Sequence, residues 1–284
     1  MTINARRGAD DRRDRHAVRR LVERLGEIKD LTGPGTSDEV DEFAAKVFAQ
    51  APNFGRVIEA IRQSAQVHVR RGARWLQIQP LVIESGPGSG KTRIVHLLAE
   101  ASGLPLVYLD CAAMTNTSPI ISQDGTWGNS RHSDIMHALA NSASANAIVV
   151  LDELDKLRDM SRHGSPQPSE SLVGLLEKRS AAAHMDNYLQ LNVDLSFINW
   201  IILVNDATRL SRAFLDRCKV IRMAPPTPRQ IAEIAAREIE RRGLEPELVI
   251  PITKAVRAGK ITSLRTIHKL LDAASAAASR PLLN

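Results

Sequence analysis

The stretch Leu81-Val82-Ile83-Glu84-Ser85-Gly86-Pro87-Gly88-Ser89-Gly90-Lys91-Thr92 constrains this chain more than any other. An apolar run, Leu81 to Ile83, stops abruptly in a small, glycine-rich turn, and an amphipathic segment from Arg93 to Ala101 follows. Strand, loop and helix in that order, with lysine and threonine closing the loop, form the pattern of a phosphate-binding P-loop. Residues without a Cβ let successive backbone N–H groups converge on one anion. The helix that starts near Gly90 adds unpaired N–H groups and the positive end of its dipole. Lys91 supplies a mobile charge for the β- and γ-phosphates of ATP, and the Thr92 hydroxyl is placed for Mg²⁺. The phosphate-facing set is therefore Gly86, Pro87, Gly88, Ser89, Gly90, Lys91, Thr92 and Arg93. One residue departs from the pattern: Ser85 stands where the first glycine is usual.

A second apolar run, Ile148-Val149-Val150-Leu151, reads as a buried strand and ends in two carboxylates, Asp152 and Glu153. The carboxyl ends of parallel strands face the ligand crevice in α/β sheets. Asp152 is placed to hold Mg²⁺ through water, and Glu153 to polarise a water for in-line displacement at the γ-phosphate. An acid directly after the metal aspartate favours water as nucleophile, so the pair points to a hydrolase rather than a kinase. A further strand, Ile201 to Val204, ends in Asn205-Asp206, where an amide can orient that water. Phe214-Leu215-Asp216-Arg217 ends a short helix before the last strand; an arginine there can reach a neighbouring subunit's phosphates. Arg265, opening the last helix, can contact the same phosphates from within the chain. Each of these alone is a common surface group; their order and spacing give them meaning together.

Strands at 81–83, 104–109, 147–151, 200–204 and 220–223 alternate with helical patterns, which predicts a parallel sheet covered on both faces. Helices are expected from Ser37, over 54–71, over 133–140 and over 167–179. Ala224-Pro225-Pro226-Thr227-Pro228 is the clearest boundary, a stiff joint beyond which 229–242, 247–258 and 262–278 read as helices. The expected division is a charged, partly disordered arm over 1–35, an α/β domain over 36–223 and a small all-α domain over 224–284. The arm carries a short charged helix with Leu21, Val22, Leu25 and Ile28 on one face, and reads as solvated or as an intersubunit contact.

Lysine and arginine (38) exceed aspartate and glutamate (32), a net charge of +6 that suits a polyanion and equally an ATP-binding surface. Cys111 and Cys218 have neither disulfide-framework nor metal-ligand spacing and read as buried free thiols. No apolar run approaches membrane-spanning length and the start is polar, so a reducing cytoplasm is expected and no membrane partner. His132, His137, His163 and His184 form no ligand pattern. Met114, Met136, Met160 and Met185 read as gap-fillers, and 161–169 as a surface loop.

Gly86 to Thr92, Leu151-Asp152-Glu153-Leu154-Asp155-Lys156, Asn205, Leu215-Asp216-Arg217 and Arg265 resemble Walker A, Walker B, sensor 1, arginine finger and sensor 2 of AAA+ ATPases. Asp186-Asn187-Tyr188-Leu189 with Asp194-Leu195-Ser196 is similar to the ATPase module of Lon proteases. The resemblance covers about residues 55–280. It implies a P-loop NTPase fold, an α/β sheet sandwiched by helices and followed by a helical lid. It also implies ATP with Mg²⁺ between domain and lid, and a homo-oligomeric ring, commonly a hexamer. Catalytic roles fall to Glu153, Lys91, Asn205, Arg217 and Arg265, and metal binding to Thr92 and Asp152. Trp127 and Gly128 lie where such unfoldases carry a pore loop for a protein substrate. The peptidase domain of Lon is expected to be missing, so the expected work is remodelling or unfolding without proteolysis in cis. The alternative is a DNA-associated AAA+ ATPase of helicase or transposition-loader type, motivated by the basic balance and the N-terminal arginines; nucleic acid is therefore a possible partner.

Overall fold

The computed structural model describes residues 16, 18–122, 132–157 and 168–278. Its centre is a five-stranded sheet of β1 (Leu81–Glu84), β2 (Leu106–Asp110), β3 (Ile148–Asp152), β6 (Asn199–Val204) and β7 (Lys219–Arg222). The strands lie in the order β2-β3-β6-β1-β7, and every neighbouring pair is parallel. Leu81 faces Ile201 on one side and Lys219 on the other, so β1 is a central strand.

Side chains alternate between the faces of a strand, and the two faces feed two separate cores. Val82, Val107, Leu109, Val149, Leu151 and Ile202 point one way, toward Ile135, Met136 and Leu139 of α4 (Asp134–Asn141) and toward Phe214. Leu81, Ile83, Ile148, Val150, Ile201 and Leu203 point the other way. There they meet α1 (Ser37–Gln50), α2 (Gly55–Arg70) and α3 (Lys91–Ser102). The near-continuous apolar runs in the sequence follow from this, since a parallel strand is buried on both sides. After the Pro225–Pro228 joint come α9 (Pro228–Arg241), α10 (Val249–Arg257) and α11 (Leu264–Ala278). Ile231, Ile234, Ile239, Val256, Ile267 and Leu271 give them a third core of their own.

Several expectations need correction. The helix over 167–179 is three single turns, α5 (Pro168–Ser171), α6 (Val173–Leu176) and α7 (Lys178–Ala181). Glu177 takes an extended ψ of 116° and interrupts the ladder. Two short antiparallel strands, β4 (His184–Asp186) and β5 (Leu191–Val193), were not expected. They stand on Asp186, fully buried, whose carboxylate accepts from the backbone N–H groups of Tyr188 and Leu189 and from Ser122 Oγ. The first helix does begin at Ser37, as expected, and Thr36 caps it in a capping box with Glu39. Ser169, placed in a surface loop by the sequence, is buried and accepts from the N–H of Ser211, which caps α8 (Arg212–Leu215).

From residue 18 onward the N-terminal arm lies against its own domain. Leu21 is buried among the α4-side residues, Lys29 donates to the carbonyls of Leu139 and Ala140, and Asp30 bridges to Ser144. Ile28, expected on the apolar face, is fully exposed. Cys111 is buried and Cys218 half-buried, both free, and burial pushes both thiols up to about 12. Among the described residues no helix is long and apolar enough to cross a membrane. Trp127, Gly128 and most of the 161–169 loop lie outside the described residues.

Candidate nucleotide site

The carboxyl ends of β1, β3 and β6 lie side by side, and the loops that follow them carry the residues singled out by the sequence. Gly88 and Gly90 take φ of 74° and 94°, values that residues with a Cβ rarely adopt, and the loop can thus wrap and enter α3 at Lys91. Ser85, the departure from the usual glycine, is buried, and its Oγ pairs with Ser89 Oγ at 2.7 Å. A hydroxyl pair staples the loop's entry to its far side. The Ser85 carbonyl meanwhile accepts from Lys91 Nζ at 2.5 Å.

Lys91 is 9% exposed, and its ammonium also reaches the Gly86 carbonyl at 3.3 Å and Asn205 Oδ1 at 2.9 Å. The loop after β1 and the end of β6 thus meet on one nitrogen. Burial lowers the Lys91 pKa, opposed by the charges of Asp152, Asp155 and Glu153. Asp152 ends β3 beside α3, and its Oδ2 lies 3.5 Å from Thr92 Oγ1. A hydroxyl and a carboxylate side by side are hard oxygen donors that suit Mg²⁺, an ion that keeps several waters and completes its shell with phosphate oxygens.

Glu153 leaves the strand at φ 55° and ψ 36°, left-handed backbone unusual for a side chain of this size. The backbone reversal turns its side chain off the line of β3, and its carboxylate pairs with Lys156 Nζ at 2.5 Å. Strain kept at the end of a central strand marks a functional position more often than a structural one.

Three features were not read from the sequence. The Tyr108 hydroxyl on β2 donates to Asp152 Oδ2, and burial followed by that bond pushes the phenol upward. Tyr108 stands opposite Val150, two residues before the carboxyl end, in a register that the sequence does not display. Glu84 ends β1 by accepting from Ala207 N–H and pairing with Arg222 at 2.8 Å, which ties β1 to the turn after β6 and to β7. Arg93, placed by the sequence among the phosphate contacts, pairs at 2.8 Å with Glu238 of α9, a carboxylate 1% exposed. Arg241 and Arg242 close on the same group at 2.7 and 3.5 Å.

The helical domain touches the loop directly. Leu264 N–H donates to the Gly88 carbonyl at 3.2 Å, and a Cβ on Gly88 would come within 3.1 Å of Ser263 Cβ. Arg265 follows, exposed, one residue from that contact. Phe54 and Leu264 both approach Gly90, so the start of α11 and the turn before α2 flank the loop. Arg217 is elsewhere. It donates to its own Ala213 carbonyl at 2.8 Å and pairs with Glu177 at 3.4 Å, ahead of β7 and therefore at the amino end of the sheet. The site thus gathers Lys91, Thr92, Asp152, Glu153 and Asn205, with Arg265 at its border and Arg217 on the opposite side.

Residues 81–226, just over half of the chain, match the model of the ATPase family associated with various cellular activities, AAA. The chain is similar to Lon protease 4 of Sorangium cellulosum, 27% identical over 238 residues, covering 84% of this chain and 29% of that protein. It is similar also to the Lon proteases of Flavobacterium johnsoniae (31% over 167 residues; 58% and 20%) and Porphyromonas gingivalis (30% over 195 residues; 68% and 22%). The chain therefore spans less than a third of the length of these relatives. Because that family model covers more than half of its length, this chain belongs to the AAA family of ATPases.

Proposed function

We propose that the chain binds MgATP in the Gly86–Thr92 cradle, hydrolyses it with Glu153 as general base, and works in a homo-oligomeric ring, hexameric by preference, to remodel or unfold a protein substrate. The observation that carries the nucleotide reading is the meeting of Lys91 with Asn205 and of Thr92 with Asp152 at the carboxyl ends of β6 and β3. Backbone N–H groups at the start of α3 and the Lys91 ammonium take the phosphates. Thr92 and Asp152 would hold Mg²⁺, which when bound offsets charge on the phosphate oxygens. Tyr108 holds the Asp152 carboxylate in place. Glu153 takes the proton from a water that Asn205 helps to orient, once its carboxylate swings from Lys156 toward the γ-phosphate. Arg265 follows the γ-phosphate from the lid, and Arg217 completes the neighbouring protomer's site. Residues 36–223 act as the nucleotide-binding unit and 224–284 as the lid, in a cytoplasmic setting.

A polypeptide substrate is supported by the relatives, which are named as proteases and therefore act on proteins. The test is Glu153→Gln. It removes the base while keeping shape, so ATP should still bind with turnover down about 100-fold or more. Turnover at the wild-type rate would refute the assignment.

A further inference from the structure

A cleft of about 400 Å³ opens at the other end of the sheet from the P-loop. Trp75 and Gln77 come from the segment leading into β1, and Phe197 precedes β6, so the cleft lies at the amino ends of the strands. His68 and Arg71, from the end of α2, and Lys178 of α7 complete its wall. Three basic side chains line it, and none of its lining residues is an acid. The nearest acid in sequence, Glu177, is taken by Arg217. Trp75 meets Phe197 edge-on, with centroids 6.0 Å apart and planes at 70°. The Trp75 Nε1–H is buried with no acceptor from the protein.

Like charges converging without a counter-charge cost free energy, and the cost shows on the groups themselves. Burial, then Lys178 and Arg71, lower the His68 pKa; burial, then Arg71, lower that of Lys178. An anion removes that repulsion. Two cations, one of them a forked guanidinium, match the geometry and double charge of a phosphate better than a single carboxylate. The volume lies in the range of small-molecule sites, and the aromatic pair beside the cations offers a wall.

We propose that this cleft binds a small phosphate-bearing anion, held between Arg71 and Lys178 against the Trp75–Phe197 wall and separate from the nucleotide site. The inference does not rest on the ATPase reading. The test follows the His68 imidazole by NMR in the full chain, assigned with His68→Gln, while inorganic phosphate or AMP is added. An anion between Arg71 and Lys178 offsets their charge, so the His68 midpoint should rise on saturation. The rise should persist in Lys91→Ala, which disables the P-loop. In Arg71→Gln/Lys178→Gln, binding should weaken about ten-fold or more, and His68 should titrate higher even without ligand. Both replaced side chains are exposed, so the fold should hold. A response to phosphate assigns free oxyanion as the ligand, and a response to AMP alone assigns a nucleoside monophosphate. No response to either, one unchanged in the double variant, or one seen only with an oligonucleotide overturns the proposal.

Discussion

Ser85 shows how a single residue can depart from a motif without losing its chemistry. The loop's usual glycine is replaced, yet what Lys91 uses at this position is the backbone carbonyl, which any residue supplies. The side chain spends its hydroxyl on Ser89. Ser85→Gly should therefore leave ATP affinity within about threefold, a shift below 1 kcal/mol. It should lower stability by about 1 kcal/mol through the lost hydroxyl pair and the freer unfolded chain. Nucleotide titration and urea denaturation measure the two effects separately. Asp152, Glu153 and Asn205 were legible in the sequence because each sits at or next to a strand end marked by an apolar run, and Lys91 and Thr92 because they close the glycine-rich loop that follows β1. Tyr108 was not, because its hydroxyl acts across a strand pairing that the linear chain does not display. Nor was the destination of Arg93, which is decided by a carboxylate far along the chain.

Elements meet at that carboxylate. Glu238 on α9 is buried against Arg93 of α3 and Arg241 and Arg242 of its own helix, so one acid joins the P-loop helix to the C-terminal helices. Burial alone would raise its pKa, but the Arg241 hydrogen bond and the Arg93 charge outweigh it and hold it below the ordinary 4.5. A carboxyl lowered on folding contributes stability above its unfolded value and loses it as pH falls through the folded one. The contact between α3 and α9 should thus weaken below pH 4.5, where the unfolded chain takes the proton more readily. Glu238→Gln should cost about 1–3 kcal/mol near neutrality, since it leaves partly exposed guanidinium groups facing a neutral amide. It should also flatten the acid limb of a stability-versus-pH curve followed by thermal unfolding. The helices and central strands were readable from periodicity, and the Pro225–Pro228 joint from composition. The β4–β5 hairpin was not, because each strand is only three residues long and its fold depends on buried Asp186. The stretch over 167–179 has the right apolar spacing for one helix, but Glu177 turns extended and divides it.

At the scale of the whole molecule, the parallel sheet separates two ends with different chemistry. Its carboxyl end holds the P-loop, Asp152, Glu153 and Asn205, and its amino end holds Arg217 and the basic cleft. A single chain cannot bring Arg217 to its own phosphates without breaking the sheet. The proposed ring brings it to the neighbour's, where such an arginine is worth about 10³-fold or more in rate. The most direct test mixes two inactive chains. Arg217→Ala should bind ATP without turning it over, and Lys91→Ala should fail to grip the phosphates. Under subunit exchange the mixture should recover turnover, because an intact Lys91 then meets an intact Arg217 at some of the seams. Wild-type turnover in Arg217→Ala alone, or no recovery in the exchanged mixture, would contradict the account.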